Sequence, residues 1–117
     1  MEKTINPARL LFKLLISIAA LVLISIFVSG CAKNAADPVV SITGSAFVPK
    51  TMVISAGQTI TWTNNDSIPH TVTTTDGKLD SGNITPGNSY SHTFESSGEY
   101  SYYCTIHMGM TGSVTVN

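Results

Sequence analysis

Polar and apolar residues alternate with a period of two through most of the chain after its first third, the spacing of half-buried strands and not of helices. Gln58 to Thr63 puts Ile60 and Trp62 on one face and Thr59, Thr61 and Thr63 on the other. Tyr90, His92 and Phe94 alternate with Ser91, Thr93 and Glu95, and Glu99 to Cys104 and Thr111 to Val116 repeat the pattern, with Val114 and Val116 facing one way. A further strand is expected over Thr71-Val72-Thr73, with His70 at its mouth. Threonine, valine and tyrosine suit a pleated, half-buried surface. Turn residues separate the runs: Ala56-Gly57, Asn64-Asn65-Asp66, Asp76-Gly77, Pro86-Gly87-Asn88 and Ser97-Gly98. Six to eight short strands at this spacing predict an all-β sandwich or small barrel, its core built on Trp62, Phe47 and Phe94. No helix, repeat or low-complexity tract is expected in this portion.

The first thirty residues have a different pattern. Leu14 to Val28 is an uncharged, almost wholly apolar run preceded by Lys3, Arg9 and Lys13 and followed by small residues. It is shorter than the roughly 20 residues that cross a bilayer, and the layout is that of an export signal. Val28-Ser29-Gly30-Cys31 resembles the lipobox of prokaryotic lipoproteins, which implies cleavage before Cys31 and its acylation; a plain membrane anchor is the alternative. The expected organisation is a signal peptide over 1–30, a flexible tether over 31–37 and a folded domain over 38–117. That domain would lie outside the cytoplasm, in the periplasm or on the outer face of the cell membrane, held to the membrane by its lipid.

Charge narrows the partners. The chain carries 7 acids and 6 bases. Beyond Cys31 there are Lys33, Lys50 and Lys78 against Asp37, Asp66, Asp76, Asp80, Glu95 and Glu99, net −3, with no arginine. Nothing there offers the basic face that nucleic acid needs. Cysteine is the sharper signal. If Cys31 is acylated, Cys104 has no disulfide partner, and a lone thiol in an oxidising compartment calls for an occupant. An inert buried thiol, or a bridge to Cys31, are the alternatives.

Cys104 stands in Tyr103-Cys104-Thr105-Ile106-His107-Met108-Gly109-Met110-Thr111-Gly112, a loop between two strands that carries a thiol, an imidazole and two thioethers. With His70 these make two imidazoles, one thiolate and a methionine sulfur, the donor set of a blue-copper centre. Thiolate and thioether are soft donors for Cu(I), and imidazole serves both oxidation states. Zinc prefers four good tetrahedral donors, and a thioether is a poor one. His92 shares the face of Tyr90 and Phe94 and is read as a packing or surface residue; Met52 is read as an ordinary strand residue.

Asn64 to Val72, Leu79-Asp80-Ser81-Gly82, Pro86-Gly87 and Gly98 to Cys104 resemble the plastocyanin/amicyanin cupredoxins, over Val39 to Asn117. The two-residue gaps between Cys104, His107 and Met110 resemble the short loop of amicyanin. The resemblance implies a cupredoxin-like Greek-key β-sandwich of seven to eight strands, with one type 1 copper ion held at one end by His70, Cys104, His107 and Met110. Met110, not Met108, matches the family position. Thr71 and Thr105 would stand just behind the ligands, with Thr71 where many relatives have Asn, a shorter side chain to pin the Cys104 loop. Ile106 stands where relatives often have Pro, and returns a backbone N–H near the thiolate. Such a donor would stabilise the reduced state and raise the potential.

The function implied is that of a monomeric, tethered carrier of single electrons, not an enzyme. A donor and an acceptor protein would dock transiently on Ile106, His107, Met108 and Gly109, and the acidic balance elsewhere favours a basic partner surface. The rival readings are a copper chaperone or scavenger, and a structural β-sandwich with a vestigial site.

Overall fold

The structure, a computed structural model, describes residues 36–117. The apolar run, Cys31 and the tether as far as residue 35 lie outside the described residues. Eight strands form: β1 (Val39–Thr43), β2 (Ala46–Val48), β3 (Thr51–Ile54), β4 (Thr59–Asn64), β5 (Thr73–Thr74), β6 (Ser89–Thr93), β7 (Gly98–Tyr103) and β8 (Thr111–Val116). They make two four-stranded sheets, ordered β2-β1-β4-β6 and β3-β8-β7-β5. Each sheet is mixed: β1 runs parallel to β4 and β3 parallel to β8, while the other neighbours are antiparallel. No helix occurs among the described residues, and none there is long and apolar enough to cross a membrane.

The period-two pattern lands as expected. In β4, Ile60 and Trp62 are wholly buried. Its threonines face outward and pair with β6, as Thr59–Thr93, Thr61–Ser91 and Thr63–Ser89 hydroxyl contacts of 2.8, 2.7 and 2.9 Å. Trp62 is the centre of the core: Tyr102 meets its ring edge-on at a centroid distance of 5.5 Å, and Phe94 lies at 6.3 Å. Tyr102 in turn meets Phe47 at 4.8 Å. His92 is half-buried and stacks edge-on against Phe94 at 4.8 Å.

One strand departs from expectation. Thr71 and Val72 join no ladder; β5 is only Thr73–Thr74. The reason is competition for their backbone donors. Thr71 N–H points at the Cys104 sulfur and Val72 N–H donates to Ser81 Oγ at 2.7 Å, so neither is free for a neighbouring strand. His70 instead makes an isolated antiparallel bridge with Ile84. The β4–β5 and β7–β8 connections therefore meet at one end of the sandwich, and the candidate ligands lie on them.

Gly112, opposite Tyr102 across the β7–β8 ladder, is where that packing is tightest. A Cβ there would run into the Tyr102 ring, 2.5 Å from its hydroxyl oxygen. The ring is itself held between Phe47 and Trp62. Gly112→Ala is therefore expected to destabilise the fold by about 1–3 kcal/mol, the usual cost of overpacking, read as a lower urea midpoint with an unchanged slope.

Candidate metal centre

The loop that follows β4 is shaped by a buried amide. Asn64 is wholly buried, and an amide there must find partners for all its polar atoms. Its Nδ2 donates to the Ile68 and Ile84 carbonyls, each at 2.8 Å, and its Oδ1 accepts the Asp66 N–H at 2.9 Å. These bonds turn the chain back so that Pro69-His70 lies against Ile84, where His70 and Ile84 exchange backbone bonds of 3.1 and 2.7 Å. The His70 ring is wholly buried. Its Nε2 lies 2.8 Å from Asp66 Oδ2 and its Nδ1 lies 3.9 Å from Cys104 Sγ. The Ser45 N–H, with that of Gly44 and the His70 ring, holds the Asp66 carboxyl below its usual range against the opposing effect of desolvation.

Cys104 directly follows β7, and its loop closes on itself. Cys104 N–H donates to the Met110 carbonyl at 3.0 Å and Met110 N–H to that of His107 at 3.3 Å. Gly109, at φ 84°, supplies the left-handed residue that so tight a return requires. His107 Nδ1 is thereby brought to 3.6 Å from the sulfur, and the two imidazoles lie 4.6 Å apart at their centroids. One donor atom each from His70, Cys104 and His107 falls within 4.8 Å of the others.

The thiol is tuned by what surrounds it. Burial disfavours its charged form. The Thr71 N–H at 3.3 Å, the His107 ring and the backbone N–H groups of Ile106 and His107 outweigh that, and hold the thiol below its ordinary value. Thr71 also fastens the two loops: its Oγ1 accepts the Thr105 N–H at 2.8 Å and lies 3.1 Å from Thr105 Oγ1. The short hydroxyl thus reaches across to the Cys104 loop.

His70, Cys104 and His107 are brought together, and Met110 is buried in the same loop while Met108 is fully exposed. Ile106 and Gly109 are exposed beside the half-buried His107. Several residues went unread in the sequence. Asn64 and Asp66 read as turn residues and as part of the resemblance, and Ser81 as part of the resemblance; none carries a sign of the bonds it makes here. Ile68, exposed two residues before His70, extends the apolar surface of the ligand-bearing loops; an isoleucine next to Pro-His was its one signal.

The donor set fits copper. Separations of 3.6 and 3.9 Å from sulfur to imidazole nitrogen are those that a shared ion imposes through bonds of about 2.0–2.3 Å, and the thiol is already biased toward thiolate. Two outcomes follow for the metal-free protein. Thr71→Val leaves the Thr105 N–H without its acceptor and should cost about 1–2 kcal/mol in urea unfolding, with Thr71→Ser close to wild type. The lowered thiol pKa means that the unfolded state binds more protons between that value and about 8.5. Stability should therefore rise with pH through that window and fall as pH drops through the folded value, and Cys104→Ser should flatten this dependence.

Comparison with known proteins agrees with this geometry. Residues 17–116 match the family described as the cupredoxin-like domain. Plastocyanin from Solanum crispum is 40% identical over 89 residues, covering 63% of this chain and 90% of the relative. Plastocyanin from Scenedesmus fuscus is 36% identical over 83 residues, 60% and 85% of the two chains. Among solved structures, a methionine-to-alanine variant of amicyanin in its Cu(I) form superposes with a TM-score of 0.66 at 30% identity, over 69% of this chain and 82% of that one. A reduced tryptophan-to-tyrosine variant of amicyanin gives 0.67 at 30% identity, over 71% and 84%. With the sandwich, the crossing loops and the clustered thiol and imidazoles all in agreement, this chain belongs to the cupredoxin-like family.

Proposed function

We propose that the protein binds one copper ion through His70, Cys104, His107 and Met110 and carries single electrons between redox proteins. The observation that supports this most directly is the convergence of a buried thiol and two imidazoles within 4.8 Å, from loops anchored to both sheets. Copper in such a set supplies a Cu(II)/Cu(I) couple. The chain's own part is to hold the donors still, so that little must move when charge changes. Asn64 and the His70–Ile84 bridge fix one loop, and the Cys104–Met110 and Thr71–Thr105 bonds fix the other. The half-buried His107 is the route to the surface, ringed by Ile106, Met108 and Gly109, which offer an apolar face for brief docking. Met110, buried in the same loop, would offer the weaker thioether donor. The protein acts as a monomer and catalyses no reaction of its own.

The N-terminal pattern supports a place outside the cytoplasm. Lys3, Arg9 and Lys13, the apolar run and Val28-Ser29-Gly30-Cys31 direct export, and acylated Cys31 tethers the domain to the membrane. Cys31→Ser should release the protein into the soluble fraction of its host; retention on the membrane would favour an uncleaved anchor.

The electron-carrier reading is tested by titrating the protein with Cu(II). An intense absorption near ~600 nm with narrow copper hyperfine splitting is expected, and Cys104→Ser should abolish both. A colourless protein with ordinary tetragonal copper signals would sink this reading and leave copper handling in its place. The backbone donor at Ile106 gives a finer outcome. Ile106→Pro removes an N–H that helps to lower the Cys104 thiol, and the reduction potential should fall; an unchanged potential would mean that this donor does not act on the thiolate.

A further inference from the structure

Asp66 makes bonds that leave its own loop. One carboxylate oxygen accepts the Gly44 N–H at 2.7 Å, and the other accepts the Ser45 N–H at 2.8 Å and lies 2.8 Å from His70 Nε2. Gly44 and Ser45 are both left-handed, at φ 58° and 55°, so two successive N–H groups converge on one anion. A carboxylate that takes two backbone donors is an acceptor with no proton to give, so its contact with His70 is satisfied in one way only. The imidazole carries its proton on Nε2 and donates it. In the neutral ring the Nδ1 lone pair is then left facing the Cys104 sulfur and the other imidazole of the cluster.

We infer that Asp66 is a positioning residue for the His70 ligand: it selects the tautomer that leaves Nδ1 free and fixes the plane of the ring. The carboxylate also makes the imidazole a stronger donor, which favours the more highly charged ion. Loop closure does not require this contact. Asn64 holds the Ile68 and Ile84 carbonyls, Asn65 Nδ2 donates to Ser41 Oγ at 2.7 Å, and Ile84 pairs with the His70 backbone. What the Asp66 bond adds is control of the ring, whose complete burial denies it a solvent partner. The consequence for redox chemistry rests on the copper reading above, whereas the hold on the ring does not.

The test has two parts, on the full chain. In the metal-free protein, proton–nitrogen correlation spectra of the histidine rings should show His70 purely as the Nε2–H tautomer. Asp66→Ala should give a mixed or inverted population, with Asp66→Leu, which keeps the bulk but has no acceptor, as the companion variant should the alanine form fail to fold. An unchanged His70 tautomer in the folded variant would overturn the inference. With copper alone as the probe, the variant should lose about 10–100-fold in Cu(II) affinity and its potential should move upward. A purely structural role would lower stability and leave both in place, and that result would also overturn it. Because the tautomer is read without metal, a wild-type chain lacking the thiolate–copper band would remove the carrier reading alone, leaving the Asp66 inference to stand or fall on the ring spectra.

Discussion

A thiol and two imidazoles can share a dry pocket only if the chain around them is held from both sides. In this domain that hold runs through Thr71. Its N–H faces the Cys104 sulfur and its hydroxyl takes the Thr105 N–H, so one residue of the β4–β5 connection ties down the β7–β8 connection 33 and 34 positions later. Everything else at this end of the sandwich serves that tie. Thr71 forgoes a strand ladder, β5 shrinks to two residues, and Val72 turns to the Ser81 hydroxyl for its acceptor. The local loss of sheet is the condition for the junction between the loops.

The same pairing of donors and acceptors ties the site down. Asn64 spends its amide on two carbonyls and one N–H, the Cys104 loop closes through Met110 and His107, and Asp66 serves two backbone groups and a ring. Few polar groups near the donors are left to water. A networked pocket of this kind resists rearrangement because moving one member strands the others. It also departs from a plain β-sandwich end, where loops are solvated and vary freely.

Much of this was legible in the sequence. Alternation in Thr59–Asn64, Gly98–Tyr103 and Thr111–Val116 reports which side chains face inward, because the strand period is local and the core is on one side. The Cys104-x-x-His107-x-x-Met110 spacing is equally local. What could not be read were bonds between distant residues. Nothing within a few positions of Asp66 announces that its carboxylate reaches Gly44 and Ser45, 22 and 21 positions away. For the same reason Thr71-Val72-Thr73 resembled a strand: threonine and valine favour one, and the sulfur that claims the Thr71 donor is invisible at short range. Gly112 lies within the strand expected over Thr111 to Val116, and nothing nearby in sequence shows that it leaves room for the Tyr102 ring.

The parallel pairing of β3 with β8 has a further bearing. Thr51 and Ser113 sit side by side although about sixty residues separate them, and β8 also pairs with β7 along its full length. Strand β8 begins one residue after Met110, so its seating between β3 and β7 and the closing of the ligand loop are one event. Contacts of such long separation carry their loop-closure entropy before they return any stabilisation. The Cys104 loop therefore takes its final shape only when these distant pairings of the sandwich are in place. A partly folded chain would hold Cys104 and His107 near each other in sequence, yet without the buried His70 face to complete a site. The cluster of thiol and imidazoles is thus a property of the completed fold, and a chain halted midway would leave the Cys104 and His107 side chains in an open loop.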